Sequence, residues 1–366
     1  MMLRSIIILI SLFAFVSCSE VLVPDIEEID SFLVIEGSYS TKAGRHYVKV
    51  FHSKGYNSRG GFPGEEGAIV FVSDTLGNRI YYQEMGNGVY SADITESNVA
   101  KEGNMYYLEV VASDGNVYRS TPQLVVPSPE ISNLYCTYGR RMILTEDYYG
   151  QPLEIEQDGI DIILETDGIL ESDNYYRYEF SAFEEHLTLL SPAPGSTWYM
   201  YEHRPLNRKY SGNIHTVNAD EYGNFMVRND RYLFIITDDM VNYTPEYPDT
   251  LDFVSTHFQG LLFTLRQYSL SPDAYRFYND AEKQLEAEGH LFDPAYTQIT
   301  GNIKCLTDNE KLVVGVFYTP DISIHHAYFY INLLDRTYSR ELESLPELWL
   351  DTCSWRKPDS WISPPF

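Results

Sequence analysis

The chain has 366 residues and a formal charge of -27, with 53 acidic side chains against 26 lysines and arginines. That balance excludes a general nucleic-acid role, because phosphate recognition needs a basic surface, and it disfavours lying flat on anionic lipid. Acidity by itself reads mainly as a solubility feature.

Met1–Arg4 gives a short basic start, and Ile6–Val16 is an almost unbroken apolar run. The run is shorter than the ~20 apolar residues a helix needs to cross a bilayer. A charged start, a short apolar core and a small residue at its end describe an export signal. The small residue is Ser17 and the next is Cys18, so residues 1–17 resemble a bacterial lipoprotein signal cleaved before Cys18. Its thiol would take a diacylglycerol and the new amine a further acyl chain. Two or three chains hold a protein on a membrane where one does not. Phe15 departs from the common pattern, which has Leu there. Residues 18–31 are acidic, contain Pro24, and read as a tether.

From Phe32 the chain becomes a series of short alternating runs split by turn residues. Phe32–Gly37, His46–His52, Ala68–Val72, Arg79–Tyr82, Gly88–Ala92, Met105–Ala112 and Val117–Ser120 are the strand candidates. Asp114-Gly115 between the last two is a hairpin signal. About seven short strands in roughly 100 residues predict an immunoglobulin-like β-sandwich. Pro122, Pro127 and Pro129 close it, since proline cannot sit in a central strand, which places the domain at 32–128. The loop from Gly55 to Gly67 is rich in glycine and charge, and lacks the Lys-Ser/Thr of a phosphate loop.

The remaining chain, 129–366, is less regular, and the length also favours two domains. Ile160–Glu165, Tyr175–Phe183, Ser196–Glu202, Tyr232–Thr237, Gly260–Tyr268, Lys311–Tyr318 and Ala327–Leu333 are strand candidates. Many alternate tyrosine or phenylalanine with polar residues, the period of an antiparallel sheet with one wet face. The 31 tyrosines suit this use, having an apolar body and a polar tip. One helix is evident, Pro272–Glu288. Ser271 can cap it, Pro272 suits the first turn, and Asp273 suits the positive end of its dipole. Ala274, Phe277, Tyr278, Ala281 and Leu285 share one face, and Gly289 stops it. The fold class is therefore mainly β: an N-terminal immunoglobulin-like sandwich followed by a larger β-rich α+β domain with one clear amphipathic helix.

The order of several short motifs carries a resemblance. Leu33-Val34-Ile35-Glu36-Gly37 opens the sandwich; Phe292-Asp293-Pro294 follows the helix; then come Gly301-Asn302-Ile303, Val313-Val314-Gly315-Val316-Phe317, Cys353 and Lys357-Pro358-Asp359-Ser360-Trp361. Together these resemble the Bacteroidota lipoprotein family catalogued as domain of unknown function 4249, across essentially the whole mature chain. The resemblance implies a cell-envelope lipoprotein encoded beside TonB-dependent outer-membrane receptors. It points to a surface accessory subunit that helps such a β-barrel capture cargo, a glycan or peptide, or gate its entrance. Ser19-Glu20 with Asp25, Glu27 and Glu28 is similar to the acidic surface-export tag of those bacteria. Asp74-Thr75-Leu76 and Asp249-Thr250-Leu251 are similar to their O-glycosylation signal on Thr75 and Thr250. The family leads one to expect a closer cysteine pair near the C-terminus than the lone Cys353. Cys305 with Cys353 is the favoured disulfide, and Cys136 could replace either.

No catalytic motif stands out. Gly-x-Ser-x-Gly and His-Glu-x-x-His are absent, and the scattered histidines lack metal spacing. No metal or cofactor is therefore expected, and the reading is non-enzymatic. His325-His326 would point to opposite faces of a strand. Asp158 with Asp161, Glu184-Glu185 and Asp238-Asp239 are carboxylate pairs whose spatial separation the sequence leaves open. Asp114-Gly115-Asn116 reads as a hairpin turn rather than a calcium loop. The densest aromatic sequence lies between Tyr175 and Tyr247. Trp198, Tyr199, Tyr201, Tyr243 and Tyr247 are the candidate partner or ligand contacts. A stand-alone glycan-binding or adhesion lipoprotein, and an envelope hydrolase with a carboxylate pair, are the alternatives to the transport accessory.

Overall fold

The computed structural model describes residues 31–54, 60–146, 149, 151–167, 175–190, 198–205, 215–218, 226–228, 234–235, 254–286, 299, 301–331, 337–346, 348 and 362. Cys18, Tyr243, Tyr247, Thr250 and Cys353 lie outside them. The architecture is mainly β, with one long helix among the described residues.

The seven expected strands of the sandwich are all present: β1 (Leu33–Ser38), β2 (Gly44–His52), β3 (Ile69–Asp74), β4 (Arg79–Gly86), β5 (Val89–Ile94), β6 (Met105–Val111) and β7 (Val117–Ser120), with a short β8 (Gln123–Leu124). Alternation decides which side chains go in. Val70, Val72, Leu108 and Val110 enter the core with Ile35, Val48, Val50 and Tyr90, while the intervening residues form the outer face. β4 serves both layers. Val70–Ser73 of β3 pair with Arg79–Tyr82, and β5 pairs with the other end of β4 from Gln83 to Gly86, with a register shift between Glu84 and Gly86. Such a shift bends a strand round a corner.

The sandwich also takes two strands from far beyond residue 128. β17 (Ile303–Cys305) pairs antiparallel with β7, and β18 (Val313–Tyr318) pairs parallel with β1. They extend both ends of the sheet and then meet: the Asn302 amide donates to the Gly315 carbonyl at 3.2 Å. The Asn302 side chain bonds the Phe317 carbonyl at 2.7 Å and accepts from the Phe317 amide at 2.9 Å. The join removes two free sheet edges. It needs glycine at two places. A Cβ on Gly315, whose φ is +148°, would lie 1.8 Å from the Ile35 carbonyl oxygen. Gly301-Asn302-Ile303, the Val313–Phe317 strand and Leu33–Gly37, three motifs of the family resemblance, thus converge on one architectural seam.

Two further sheets face each other across a second core. One is a long hairpin, β9 (Glu130–Glu146) with β10 (Pro152–Asp167), to which the short β14 (Met226–Arg228) and β15 (Phe234–Ile235) add. The other has the order β12 (Trp198–Pro205), β11 (Tyr175–Leu190), β16 (Val254–Leu270), β19 (Ile322–Ile331), β20 (Thr337–Leu342), with β13 (His215–Asn218) also on β11. Leu134, Cys136 and Ile162 of the hairpin pack against Phe180, Phe263 and Phe329. The strands are longer than the alternation predicts, and β9 falls where no strand was expected.

The helix α1 (Pro272–Glu286) follows β16 directly. The Ser271 hydroxyl accepts from the Ala274 amide at 3.3 Å, as an N-cap does. Ala274 and Tyr278 are buried against Leu270, Val316 and Tyr318, with Phe277 partly so, as the face predicts. The junction between sandwich and second core is held by Asp321. Its carboxylate accepts from the Thr41 hydroxyl at 2.6 Å and the Ser128 amide at 2.8 Å, and its amide donates to Ser269 Oγ at 2.8 Å.

Candidate functional site

Trp198, Tyr199 and Tyr201 fall on β12, at the edge of the β12–β11–β16–β19–β20 sheet. Register sets Trp198 opposite Leu190, Tyr199 opposite Leu189 and Tyr201 opposite Leu187. Among the described residues β12 pairs only with β11. Within that set, its other edge presents backbone donors and acceptors of the kind an added strand satisfies. The signal for this strand in the sequence was the candidate Ser196–Glu202, within the aromatic-dense stretch from Tyr175 to Tyr247.

The part of β11 that backs β12 holds a buried polar group the sequence did not single out as a unit. Gly260 and Phe258 of β16 pair with Glu185 and His186, so Gln259 is an extra residue. This is a β-bulge, a device that re-aims side chains near functional edges. Glu184, Glu185 and His186 are all buried. Glu184 and His186, two apart, share the face that meets the second core, and Glu184 Oε2 lies 2.8 Å from His186 Nε2. Glu185 turns to the opposite face, where Tyr328 donates to it and the Ile362 amide donates to Oε1 at 3.4 Å. Burial first, and then the Glu185 charge, hold the Tyr328 phenol protonated far above its ordinary range. Gly260 makes the pair possible: a Cβ there would stand 2.2 Å from the Tyr328 hydroxyl oxygen.

Farther along β11, Arg177 is buried on the helix side of the sheet. Its guanidinium lies 5.0 Å from the Tyr268 ring centroid and 4.5 Å from that of Tyr278, donates to the Tyr318 hydroxyl at 3.0 Å and pairs with Glu179. Tyr268 donates to the other Glu179 oxygen at 2.8 Å. Burial works against the charge, but Tyr318, Tyr278 and Glu179 outweigh it. The visible signal was Tyr176-Arg177-Tyr178-Glu179, in which two opposite charges two apart share a strand face. In the sandwich, Glu65 accepts from the Ser113 amide at 2.8 Å and its hydroxyl at 2.7 Å, and lies 2.6 Å from His52 Nε2. This ties the end of the Gly55–Gly67 loop to β2 and to the β6–β7 turn.

The other candidates separate. Thr75 sits exposed in the β3–β4 turn, whose Asp74 carboxylate accepts from the Leu76 and Asn78 amides. Asp114-Gly115-Asn116 is the β6–β7 turn, and Gly115 has φ +83°. Its Asp114 binds Lys311 Nζ at 2.7 Å. His325 and His326 do point to opposite faces: the first is 3.8 Å from Glu341, the second 2.9 Å from Thr264 Oγ1. Cys136 and Cys305 are buried free thiols in separate cores, so they do not pair with each other. The favoured Cys305–Cys353 disulfide falls partly outside the described residues.

The family model described as Domain of unknown function (DUF4249) matches residues 19–322. No curated protein matches the chain significantly.

Proposed function

The chain belongs to the family described as Domain of unknown function (DUF4249), and from that premise we propose that it is a lipid-anchored, surface-exposed outer-membrane protein that assists a TonB-dependent transporter in nutrient capture. In this reading Cys18 carries the lipid, residues 18–31 are the tether, and the β-rich unit from Phe32 onward does the binding. Edge strand β12, with Trp198, Tyr199 and Tyr201, is the observation that carries it. A partner strand can add to such an edge through main-chain hydrogen bonds, while aromatic side chains supply selectivity. The bulge and the buried Glu184–His186 and Glu185–Tyr328 pairs brace the strand behind it.

The test is mass spectrometry of native complexes extracted in mild detergent, comparing wild type with Cys18→Ala. A large β-barrel receptor should accompany the wild type and be lost with the variant. Acylated Cys18 with no receptor in repeated preparations would remove the transporter partnership. A stand-alone glycan-binding lipoprotein would use the same aromatic strand, and an array of host and dietary glycans distinguishes it. The hydrolase alternative loses one of its pairs, because Glu184 and Glu185 lie on opposite faces of the sheet and cannot flank one bond.

A further inference from the structure

We propose that the outer face of the sandwich, on the β4–β3–β6–β7–β17 side, is a docking surface for a protein partner that presents an acidic, partly apolar patch. This does not rest on the transporter reading and lies on a different sheet from β12. Register lines up Tyr81, Phe71, Glu109, Arg119 and Lys304 as one row across five strands. Ser73 and Tyr107 make a second row with Arg79, and Met105 stands opposite Leu124 of β8. These side chains stand outside the cluster of Val70, Val72, Leu108 and Val110; Phe71, Ser73 and Glu109 are buried within the face, and Arg79 lies over Phe71. Ile69 and Tyr81 are more than half exposed, at 54% and 56%, and Met105 and Leu124 are exposed too.

Charge selects the occupant. The face carries Arg79, Arg119 and Lys304 against the single carboxylate Glu109, which Arg119 already engages, on a chain whose formal charge is -27. A locally cationic patch on so acidic a molecule attracts an acidic surface and repels its own copy face to face. Arg79 lies 4.4 Å from the Phe71 ring centroid and Arg119 5.1 Å from that of Tyr107. Those ring faces are thus taken by guanidinium groups rather than open for a sugar to stack on. Arginine, tyrosine and methionine set on a sheet face are the composition of a protein interface centre.

The experiment uses the full chain in detergent, immobilised, with a random glutamate–tyrosine copolymer as probe and polygalacturonate as comparison. The copolymer should bind saturably and more weakly as salt rises. Arg79→Glu with Lys304→Glu, or Tyr81→Ala, should weaken it at least tenfold while the melting temperature stays within a few degrees of wild type. No copolymer binding, or binding untouched by these variants, overturns the proposal. Equal or tighter binding of polygalacturonate overturns it in favour of an acidic glycan. Self-association of the chain that the same variants abolish overturns it in favour of a second copy.

Discussion

Gly301 lies directly against the backbone of Gly315: a Cβ on Gly301 would stand 1.7 Å from the Gly315 carbonyl oxygen. No side-chain rotation relieves that contact, because the obstacle is backbone. Gly301→Ala should therefore open the seam between β17 and β18 and expose both sheet ends. The expected loss is about 3–5 kcal/mol, the range of severe backbone lesions. Urea unfolding of the purified variant measures it, and a midpoint equal to wild type would show that the seam tolerates separation.

Tyr328 and Glu185 form a buried donor–acceptor pair. Tyr328→Phe keeps the ring and removes only the hydroxyl, leaving Glu185 buried with one donor fewer. A loss of about 1–3 kcal/mol is expected. Glu185→Gln on the Tyr328→Phe background should cost less than the sum of the two single changes. A double-mutant cycle of chemical unfolding reads this directly, and simple additivity would show the two are uncoupled.

Acid should weaken the sandwich in a defined window. The Lys311 ammonium beside Asp114, with the Asn116 amide, lowers that carboxyl from its ordinary 3.8 to about 2. For Glu65, burial alone would raise the carboxyl, but the Ser113 amide and hydroxyl together with His52 outweigh it and lower it below its ordinary 4.5. Both folded values are depressed, so the unfolded chain binds more protons as pH falls. The stabilisation is complete above about pH 5 and drains away towards pH 2. Asp114→Asn should flatten the lower part of that curve and Glu65→Gln the upper part, in urea midpoints collected from pH 6 to pH 2.

Arg177→Met should free the α1 end of the sheet. Glu179 is only partly buried, so the cost should be about 2–3 kcal/mol, below the ~3–5 of a fully buried pair. Arg177→Lys should recover little, because an ammonium cannot stack on Tyr268 and Tyr278 while serving Tyr318 and Glu179. Loss of amide protection in Pro272–Glu286, followed by hydrogen exchange, is the local signature. Unchanged protection there would show that the helix is held without Arg177.

If β12 carries the functional contact, Trp198→Ala with Tyr201→Ala should remove the receptor from detergent-extracted complexes without lowering the melting temperature by more than a few degrees. Truncating an aromatic anchor typically costs about 2 kcal/mol or more, over tenfold in affinity. Full recovery of the complex with the double variant would move the contact elsewhere.

The sandwich strands were legible as short apolar runs, of which β1 and β2 alternate between a dry and a wet face, and turn residues such as Asp114-Gly115 punctuate them. The helix was legible from Ser271, Pro272 and the Ala274–Tyr278 face. β9 was not, because Gly139, Arg140 and Arg141 interrupt its alternation. It is a strand because Glu130–Glu146 pairs along its length with β10, and such pairing is written in the partner rather than in the segment. The aromatic stretch that includes Trp198–Tyr201 was visible as composition, but its place at a sheet edge was not.

By itself the sequence determined the local grammar: the strands of the sandwich and the capped helix. All of these depend on neighbours within a few residues of one another. Only the tertiary structure decided that Gly301, Asn302 and Gly315 close the sandwich begun by Ile35, that Glu184 and Glu185 serve opposite faces, and that Tyr81, Phe71, Arg119 and Lys304 form one row. These relations join residues tens to hundreds of positions apart, and they follow from strand register, which is set by the packing of whole faces rather than by any local preference.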